Sequence, residues 1–411
     1  MIKEQIRKIV VIVGLWVLLH TLPVMRIRAE DRVDYKYEDY SEEKGRIQIR
    51  THSLLFEQDL IPELTLQGAL VYDGISGATP TGAPPMPDEN QVATTEISDI
   101  RRAGFIAGSF RHGRHTFAPQ VAYSEEVDYT SIGLSLQDSI DFNDKNTTLN
   151  LGISHDFDRI IPNAGTLLRV KEEKDNTQFL VGVTQLLGPK TVLTANLTLG
   201  YTSGYMADPY KGVLFDDHYS PSEEELGFLG QFMSGEDIDA MFAYAPGDPY
   251  ALFPESRPRD KRREIGLVSL TQYVDKLRGS AEVDYRYYHD SFGINAHTFS
   301  AAWRQKIGES IMLSPSLRYY TQSAASFYAP RFALGSPQQH PDRTPAHYSS
   351  DFRLSDLDSL TYGVHAVWEV SERCHLDVGW KRYEMEGNDG RTSPSAYSNA
   401  DIVSIGIRLW F

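Results

Sequence analysis

Residues 400–411 read ADIVSIGIRLWF and alternate between apolar and polar side chains up to the last residue. Val403, Ile405, Ile407, Leu409 and Phe411 occupy every second position. Successive side chains of a β-strand point to opposite faces, so this alternation predicts a strand with one apolar face. The same pattern recurs at residues 193–202, 280–287 and 360–369.

An apolar strand face packs on a second sheet in a soluble sandwich, or meets lipid in a membrane-spanning barrel. The 23 Tyr residues favour the barrel, because Tyr suits membrane–water interfaces. The chain also stops on Phe411, and outer-membrane barrels commonly end on an aromatic residue. We therefore predict an all-β fold, a transmembrane antiparallel β-barrel in contact with outer-membrane lipid and lipopolysaccharide. We expect Phe411 to be the barrel-closing signal that the barrel-assembly machinery reads.

The amino terminus has the pattern of an export signal. Lys3, Arg7 and Lys8 precede an apolar run at residues 9–22, which is too short for a comfortable membrane span. Cleavage after Ala29 gives a signal peptide at residues 1–29 and a barrel at residues 30–411, located in the cell outer membrane. The alternative is an uncleaved anchor.

Connections between the predicted strands alternate between short and long, as in bacterial barrels. An even count of about sixteen strands follows, within a range of roughly fourteen to eighteen. We expect the short turns to face the periplasm and the long connections to face the exterior. The predicted short turns are at residues 58–63, 112–115, 143–146, 187–190, 276–279, 308–310 and 371–374. The predicted long connections are at residues 73–100, 157–176, 203–263, 323–358 and 384–400.

Two long connections carry distinctive patterns. In 203–263, Ser222 and Glu225 form a capping-box pattern before an apolar run, which predicts a short helix. This loop either packs on its neighbours outside the barrel or folds into the mouth as a partial plug. The segment ISGATPTGAPP at 75–85 predicts a rigid, side-chain-poor loop. It is either a structural constriction or a set of exposed amides that hold an anion.

Charged side chains on the strand faces opposite the apolar residues are the predicted lining of the lumen. Both signs occur, so ion pairs across the lumen are expected, and a barrel of this size is wide enough for an aqueous channel. The candidates are Glu282, Asp284, Arg286, Arg304, Lys306, Arg318, Glu369, Lys381 and Arg408.

A dense basic run stands near the predicted outer rim, just before a strand. Its members are Arg257, Arg259, Lys261, Arg262 and Arg263. One interpretation is a patch that binds an anionic solute or a lipopolysaccharide phosphate. The other is charge balance against the acidic loop upstream. The formal net charge of −16 argues against nucleic acid as a partner.

No catalytic, metal or cofactor site is predicted. His112 and His115 flank a tight turn without an apparent third ligand, and the acidic residues between 216 and 239 lack the spacing of a calcium loop. Cys374 is the single cysteine, so a disulfide within the chain and a porphyrin attachment are excluded. No Ser lies in a nucleophile-elbow pattern, and a membrane-embedded hydrolase is the remote alternative.

Five segments together resemble a family. They are DGISGATPTGAP at 73–84, DPYK at 208–211, PESRPRDKRR at 254–263, YRYYHDSFGINAHTFSAAWRQ at 285–305 and RYYTQSAASFY at 318–328. They resemble an outer-membrane family catalogued as domain of unknown function 3570. The resemblance implies a barrel. It also implies a role in extracytoplasmic redox traffic, because related proteins are encoded beside flavin-attaching enzymes, small lipoproteins and thioredoxin-like proteins.

Two functions remain open at this point. The first is a channel, or a scaffold that serves an extracytoplasmic flavin and thiol redox system with a periplasmic or lipoprotein partner. The second is a closed barrel that docks a lipoprotein or flavoprotein without transport. Neither implies an enzymatic activity for the chain itself.

Overall fold

The computed structural model describes residues 31–85, 90–161, 171–216, 250–333 and 347–411, and β-strands dominate them. In chain order the strands are β1 (Arg32–Glu42), β2 (Gln48–Ile61), β3 (Leu64–Pro80), β4 (Thr94–His112), β5 (His115–Glu125), β6 (Tyr129–Phe142), β7 (Thr147–Ile160), β8 (Glu172–Gly188), β9 (Thr191–Gly204), β10 (Gly212–Asp216), β11 (Tyr250–Pro254), β12 (Asp260–Val274), β13 (Gly279–Asp290), β14 (Asn295–Ile307), β15 (Ile311–Gln322), β16 (Phe332–Ala333), β17 (Leu357–Ser371), β18 (Cys374–Gly387) and β19 (Ala400–Trp410).

Sixteen strands form one closed antiparallel barrel, as predicted. The ring runs β1-β19-β18-β17-β15-β14-β13-β12-β9-β8-β7-β6-β5-β4-β3-β2 and returns to β1. It closes between the first and last strands, where Arg32 pairs with Trp410 and Glu42 pairs with Ala400. The backbone N–H of Phe411 extends this ladder by donating to the Asp31 carbonyl at 3.0 Å.

The three remaining strands form a small sheet of their own. β10 pairs antiparallel with β11 and parallel with β16. Short 3-10 helices occur at Glu43–Gly45, Asp275–Leu277, Phe352–Leu354 and Pro394–Ala396. Within the described residues, no helix has the length and apolar character needed to cross a membrane.

The barrel has a turn end and a loop end. Every predicted short turn is confirmed as a tight hairpin, and these hairpins lie at the turn end together with Asp31 and Phe411. The long connections all lie at the loop end. The predicted signal peptide at 1–29 and the predicted helix after Ser222 lie outside the described residues.

The predicted starts and ends of several long connections were wrong, because the strands continue further. β3 and β4 pair up to Pro80 and Thr94, although 73–100 was predicted as a loop. β7 and β8 likewise pair up to Ile160 and Glu172. Backbone pairing satisfies N–H and C=O groups wherever two strands run side by side, so a ladder can extend past the part with an apolar face.

Candidate functional site

One strand face is apolar and exposed all around the ring. Val283, Val378 and Ile405 are more than half exposed, at 52%, 53% and 57%. In water this exposure is unfavourable, and contiguous apolar surface of this kind marks a contact with lipid or protein.

The opposite face is identified as the inner face by what packs on it. Ala296, Tyr288 and Tyr320 lie on that face, near the loop end. Phe327 and Leu354, from the connection between β15 and β17, pack against them in one apolar cluster. Because this connection also bonds to loops across the ring, the face that it covers is the inside of the barrel.

The described residues of four connections at the loop end form a cap: β3 to β4, β9 to β12, β15 to β17 and β18 to β19. It crosses the mouth. Gly212 N–H donates to the Thr81 carbonyl at 2.8 Å, although β8, β7, β6, β5 and β4 lie between their parent strands on the ring. Arg331 Nη2 donates to the Pro85 carbonyl at 3.1 Å and spans a similar arc on the other side. A sixteen-stranded ring is on the order of 30 Å wide, so these bonds join opposite walls.

Backbone pairing joins two of the cap connections. The small sheet holds β10 and β11 of the β9 to β12 connection beside β16 of the β15 to β17 connection. Ser256 and Tyr348 exchange two further backbone bonds at 3.0 and 2.8 Å. Val213 is fully buried between the two connections and packs with Phe332.

The cap also contains a buried ion cluster. Arg257 Nη2 lies 2.8 Å from Glu255 Oε1 and 2.9 Å from Asp351 Oδ2. Arg353 bridges Asp351 and Asp208, at 2.5 and 2.7 Å. Glu255 and Asp351 are almost completely buried, so their charges are compensated inside the protein and not by water.

The pKa of each of these groups depends on the balance between burial and the neighbouring charges. Burial raises the pKa of the Asp351 carboxyl, but the guanidinium groups of Arg353 and Arg257 outweigh burial and hold that pKa well below its usual range. For Glu255, burial prevails over Arg257 and its pKa is raised. Burial also lowers the pKa of the Lys211 amine, which donates to the Pro80 carbonyl across the mouth.

Gly82, the second of the two glycines in the segment 75–85, has a structural role. Residues up to Pro80 belong to β3, and Gly82 lies in the cap with a φ of +96°. A Cβ at Gly82 would lie 2.6 Å from the Gly212 carbonyl oxygen. A side chain here would separate the two connections, so the segment provides a close backbone contact.

The residues predicted to line the lumen lie on the inner strand face, and some are paired. Arg304 pairs with Glu282 at 2.5 Å, and Arg408 pairs with Asp34 at 3.0 Å. Arg286 and Arg318 lie 5.5 and 5.4 Å from the ring centres of Tyr288 and Tyr320. Asp284, Lys306, Glu369 and Lys381 lie on the same face. That these residues border a solute path stays a prediction.

The structure does not bring the predicted rim patch together. Arg257 belongs to the buried ion cluster, and Arg259 pairs with Glu172 at 2.6 Å. Lys261 faces inward and pairs with Asp290 at 2.9 Å, and Arg263 donates to the amide oxygen of Asn176. Arg262 faces outward and is exposed. The run alternates between faces because most of it belongs to β12, and binding of an external anion by it stays a prediction.

His112 and His115, the histidine pair at the turn end, have separate partners. His115 contacts Asp138 at 2.9 Å, and His112 stacks on Phe110. Among the described residues, Asp99, Glu126 and Asp128 form the one cluster of three carboxylates that are close enough to share a metal ion. Most of the acidic loop at 216–239 lies outside the described residues.

Sequence reasoning missed the ion cluster. Lys211 and Glu255 stand in the quoted segments DPYK and PESR, but charged residues in a polar loop are normally solvated. Asp351 and Arg353 stand in a segment without any distinctive pattern. Their partners are distant in sequence, so only the folded cap brings them together.

Solved structures similar to this chain are outer-membrane proteins. The siderophore receptor PirA from Pseudomonas aeruginosa is 10% identical, with a TM-score of 0.41, over 93% of this chain and 61% of the receptor. A bacterial polysaccharide outer membrane secretin is 8% identical, with a TM-score of 0.44, over 95% and 100%. OpdK of Pseudomonas aeruginosa with vanillate is 9% identical, with a TM-score of 0.40, over 94% and 100%.

The chain thus spans about three fifths of the length of the siderophore receptor that it resembles. The search of curated proteins found no match. The family model described as Protein of unknown function (DUF3570) matches residues 18–404, which is nearly the whole chain. The chain therefore belongs to the DUF3570 family.

Proposed function

We propose that this protein is an outer-membrane channel whose mouth is gated by the cap. The observation that carries the proposal is the set of bonds across the mouth of a closed barrel, Gly212 to Thr81 and Arg331 to Pro85. A scaffold that served only as a lipid-embedded wall would gain nothing from loops that cross its own opening. A channel gains control over passage.

The outer face supports a position in a membrane. On β15, exposed apolar residues run from Ile311 to Tyr319, about 27 Å along the strand. At the usual tilt this corresponds to about 21 Å along the barrel axis, close to the apolar band of an outer-membrane barrel. Aliphatic side chains such as Leu317, which is half exposed, lie between these two ends.

Aromatic residues border this band on both sides. Near the turn end the exposed aromatic residues are Phe110, Phe117, Phe142, Trp368 and Phe411. Towards the loop end they are Tyr72, Tyr123, Phe157, Tyr201, Tyr287 and Tyr319. Several of the loop-end hydroxyls point to polar partners, as Tyr319 does to Asp358 at 2.8 Å. Two such girdles are expected where rings meet the two membrane interfaces.

The inner face supports a water-filled interior. Its side chains on β5 and β9 are small and mostly polar, β7 adds Asp156 and Asp158, and β13 to β15 carry charged residues such as Arg286 and Arg318. Polar groups require water or polar partners, so an interior of this kind favours hydration over an apolar core. A ring of sixteen strands leaves an aqueous channel unless loops fill it.

The proposal includes an orientation. The turn end would face the periplasm and the loop end the exterior, where the outward-facing Arg262 would meet lipopolysaccharide phosphates. The barrel-assembly machinery would insert the chain through its last strand. The redox role implied by the family resemblance has no support in the geometry described above.

Planar-bilayer recording tests the proposal. Purified protein is expected to give discrete conductance steps, with open times that lengthen in the variant R257Q, because that variant loses the bonds to Glu255 and Asp351. Folding of both proteins is checked first by heat-dependent migration in gels. If both are folded and silent, the channel proposal is wrong.

The same preparation addresses the docking alternative. A lipoprotein or flavoprotein recovered in stoichiometric amount from solubilised outer membrane, together with a silent bilayer, would favour a closed docking barrel. Conductance without such a partner favours the channel.

A further inference from the structure

We infer that Arg286, Arg318 and Lys381 form a binding site for small anions on the inner wall, just below the cap. The inference rests on the proposed channel function and adds a solute class to it. We call these three residues the cationic sector. Nothing in their sequence spacing links them, and the barrel register alone brings them together.

The register places the cationic sector on neighbouring parts of one wall. Arg286 on β13 and Tyr320 on β15 both pair with Thr298 of β14. Arg318 and Tyr383 both pair with Thr361 of β17.

Lys381 pairs with Gly363 of β17, one inward position below Thr361. One strand separates β13 from β15, and one separates β15 from β18, so each interval is about 10 Å. Long cationic side chains at this spacing can reach a single small molecule.

The lack of charge compensation distinguishes this sector from most of the inner wall. Most inward-facing cations elsewhere have carboxylate partners within 4.0 Å: Arg32 with Glu57, Arg101 with Asp73, Lys174 with Asp158, Lys261 with Asp290, Arg304 with Glu282 and Arg408 with Asp34. Within the described residues, none of the three sector cations has an ion pair. Arg263, Arg111 and Lys306 also have no ion pair there. Arg263 donates instead to the amide oxygen of Asn176, and Arg111 and Lys306 lie at the turn end.

An uncompensated group of cations is notable in a chain with a formal net charge of −16. The nearest acidic group on the same wall is Asp284, in the same cross-strand row as Arg318, with Ser300 between them. It forms no ion pair with Arg318 and leaves the sector with a net positive charge. The result is a local positive potential that attracts anions into the lumen.

Tyrosine rings hold the guanidinium groups in position. The Arg286 and Arg318 groups lie 5.5 and 5.4 Å from the ring centres of Tyr288 and Tyr320. A guanidinium group beside a ring keeps its N–H edge available, and that edge matches the two oxygens of a carboxylate or phosphate. Each group is thus positioned before a ligand arrives, which lowers the entropic cost of binding.

The opposite wall leaves space for the ligand. Its inward side chains on β5 and β9 are small and uncharged, including Gln120, Thr194, Asn196 and Thr198, and β6 and β7 add Ser135 and Ser154. β7 also places Asp156 and Asp158 on this wall, where Asp156 accepts from Asn176 and Asp158 pairs with Lys174. The uncharged members supply hydroxyl and amide groups. The ligand class that fits is a small molecule with one carboxylate or phosphate group and polar substituents.

Ion selectivity is the first test. Reversal potentials are measured in a potassium chloride gradient for the wild type, for R286Q/R318Q and for a charge-matched control, R102Q/R159Q. Arg102 and Arg159 are exposed on the outer face. We expect the chloride-to-potassium permeability ratio to fall roughly threefold or more in R286Q/R318Q and to be unchanged in the control.

Block of the chloride current by citrate and by inorganic phosphate is the second test. Removing the two guanidinium groups should weaken block about tenfold or more, and K381Q should weaken it to a smaller degree. The conservative variant R318K keeps the charge and should retain selectivity while losing part of the block. A stronger effect with one of the two anions identifies carboxylate or phosphate as the preferred group.

The two proposals fail in different ways. Channels that conduct, but whose selectivity and block are the same in the wild type and R286Q/R318Q, would overturn the anion site and leave the channel intact. Folded protein that never conducts, even as R257Q, would overturn the channel itself.

Discussion

Arg257 and Asp351 form an ion pair of 2.9 Å between two residues 94 positions apart in the chain. The pair joins the connection after β9 to the connection after β15, and both side chains are largely withdrawn from water. The same guanidinium group also binds Glu255 in its own connection, so one side chain compensates two buried carboxylates while it joins the two connections.

Loss of this pair should open the cap without unfolding the barrel. Replacing Arg257 by Gln leaves two buried carboxylates partly uncompensated, which typically costs about 3–5 kcal/mol. We expect rapid protease cleavage within the connections of R257Q at a concentration that leaves the wild type intact. The control is R259Q, because Arg259 itself is exposed and its pair with Glu172 should contribute only about 0–1 kcal/mol. Equal cleavage of the two variants would contradict the assignment.

Acidification should affect the two buried carboxylates in opposite directions. The pKa of Asp351 is held low, so its stabilising effect is full above the unfolded value of about 3.9 and is lost as the pH falls below it. The stability difference between wild type and D351N should therefore shrink below about pH 4.

The pKa of Glu255 is raised, so its contribution is greatest at low pH and falls as the pH rises through the folded value. The difference between wild type and E255Q should shrink as the pH rises. Protease resistance of the cap across pH 3 to 7, with an acid-tolerant protease at the low end, measures both. Parallel curves for the two variants would show that these carboxylates do not titrate as described.

The close approach of Gly82 to Gly212 predicts a sensitive position. An alanine at 82 would place its Cβ 2.6 Å from a carbonyl oxygen, at a positive φ that non-glycine residues rarely adopt. We expect G82A to raise protease sensitivity of the cap and to lengthen channel openings. G74A is the control, because nothing lies within 4 Å of a Cβ there and its φ is ordinary. Wild-type protease sensitivity and open times in G82A would show that this contact does not hold the cap closed.

A charged residue introduced on the outer face tests whether that face contacts lipid. Leu197 is 49% exposed, so arginine there would be tolerated in water but should cost about 2–4 kcal/mol near the middle of a bilayer. Arginine at the adjacent inward-facing Asn196 should cost much less. Urea titration of folding into lipid vesicles compares L197R with N196R. Equal stability of the two variants would contradict a lipid-facing outer surface.

The terminal aromatic residue should matter for assembly more than for stability. Phe411 is 40% exposed, and only its backbone N–H continues the β1–β19 ladder, by donating to Asp31. We expect F411A to reach the outer membrane in reduced amount in cells but to refold in detergent as the wild type does. V403A, on the same face of the same strand, is the control. Equal outer-membrane levels of F411A and wild type would exclude a role as closing signal.

Alternation along each strand predicted the strands and hairpins, and the Tyr content and terminal Phe411 favoured a membrane barrel over a soluble sandwich. The alternation of short and long connections gave the strand count. A strand has a period of two residues, so the face of Val403 or Arg408 can be read directly from its position. The loop boundaries were predicted less well, as at Pro80, because the backbone ladder continues where the apolar pattern has ended.

The sequence by itself therefore determined the strands, their hairpins and which residues share a strand face, because these follow from local periodicity, and its aromatic residues favoured a barrel. The tertiary structure alone decided which residues meet. Lys211 and Pro80 are 131 positions apart, and Arg257 and Asp351 are 94 apart. Likewise, Arg286 and Arg318 share a wall only because the strands pair in this order. Contacts between distant segments depend on ring order and loop packing, and no local pattern in the chain records either.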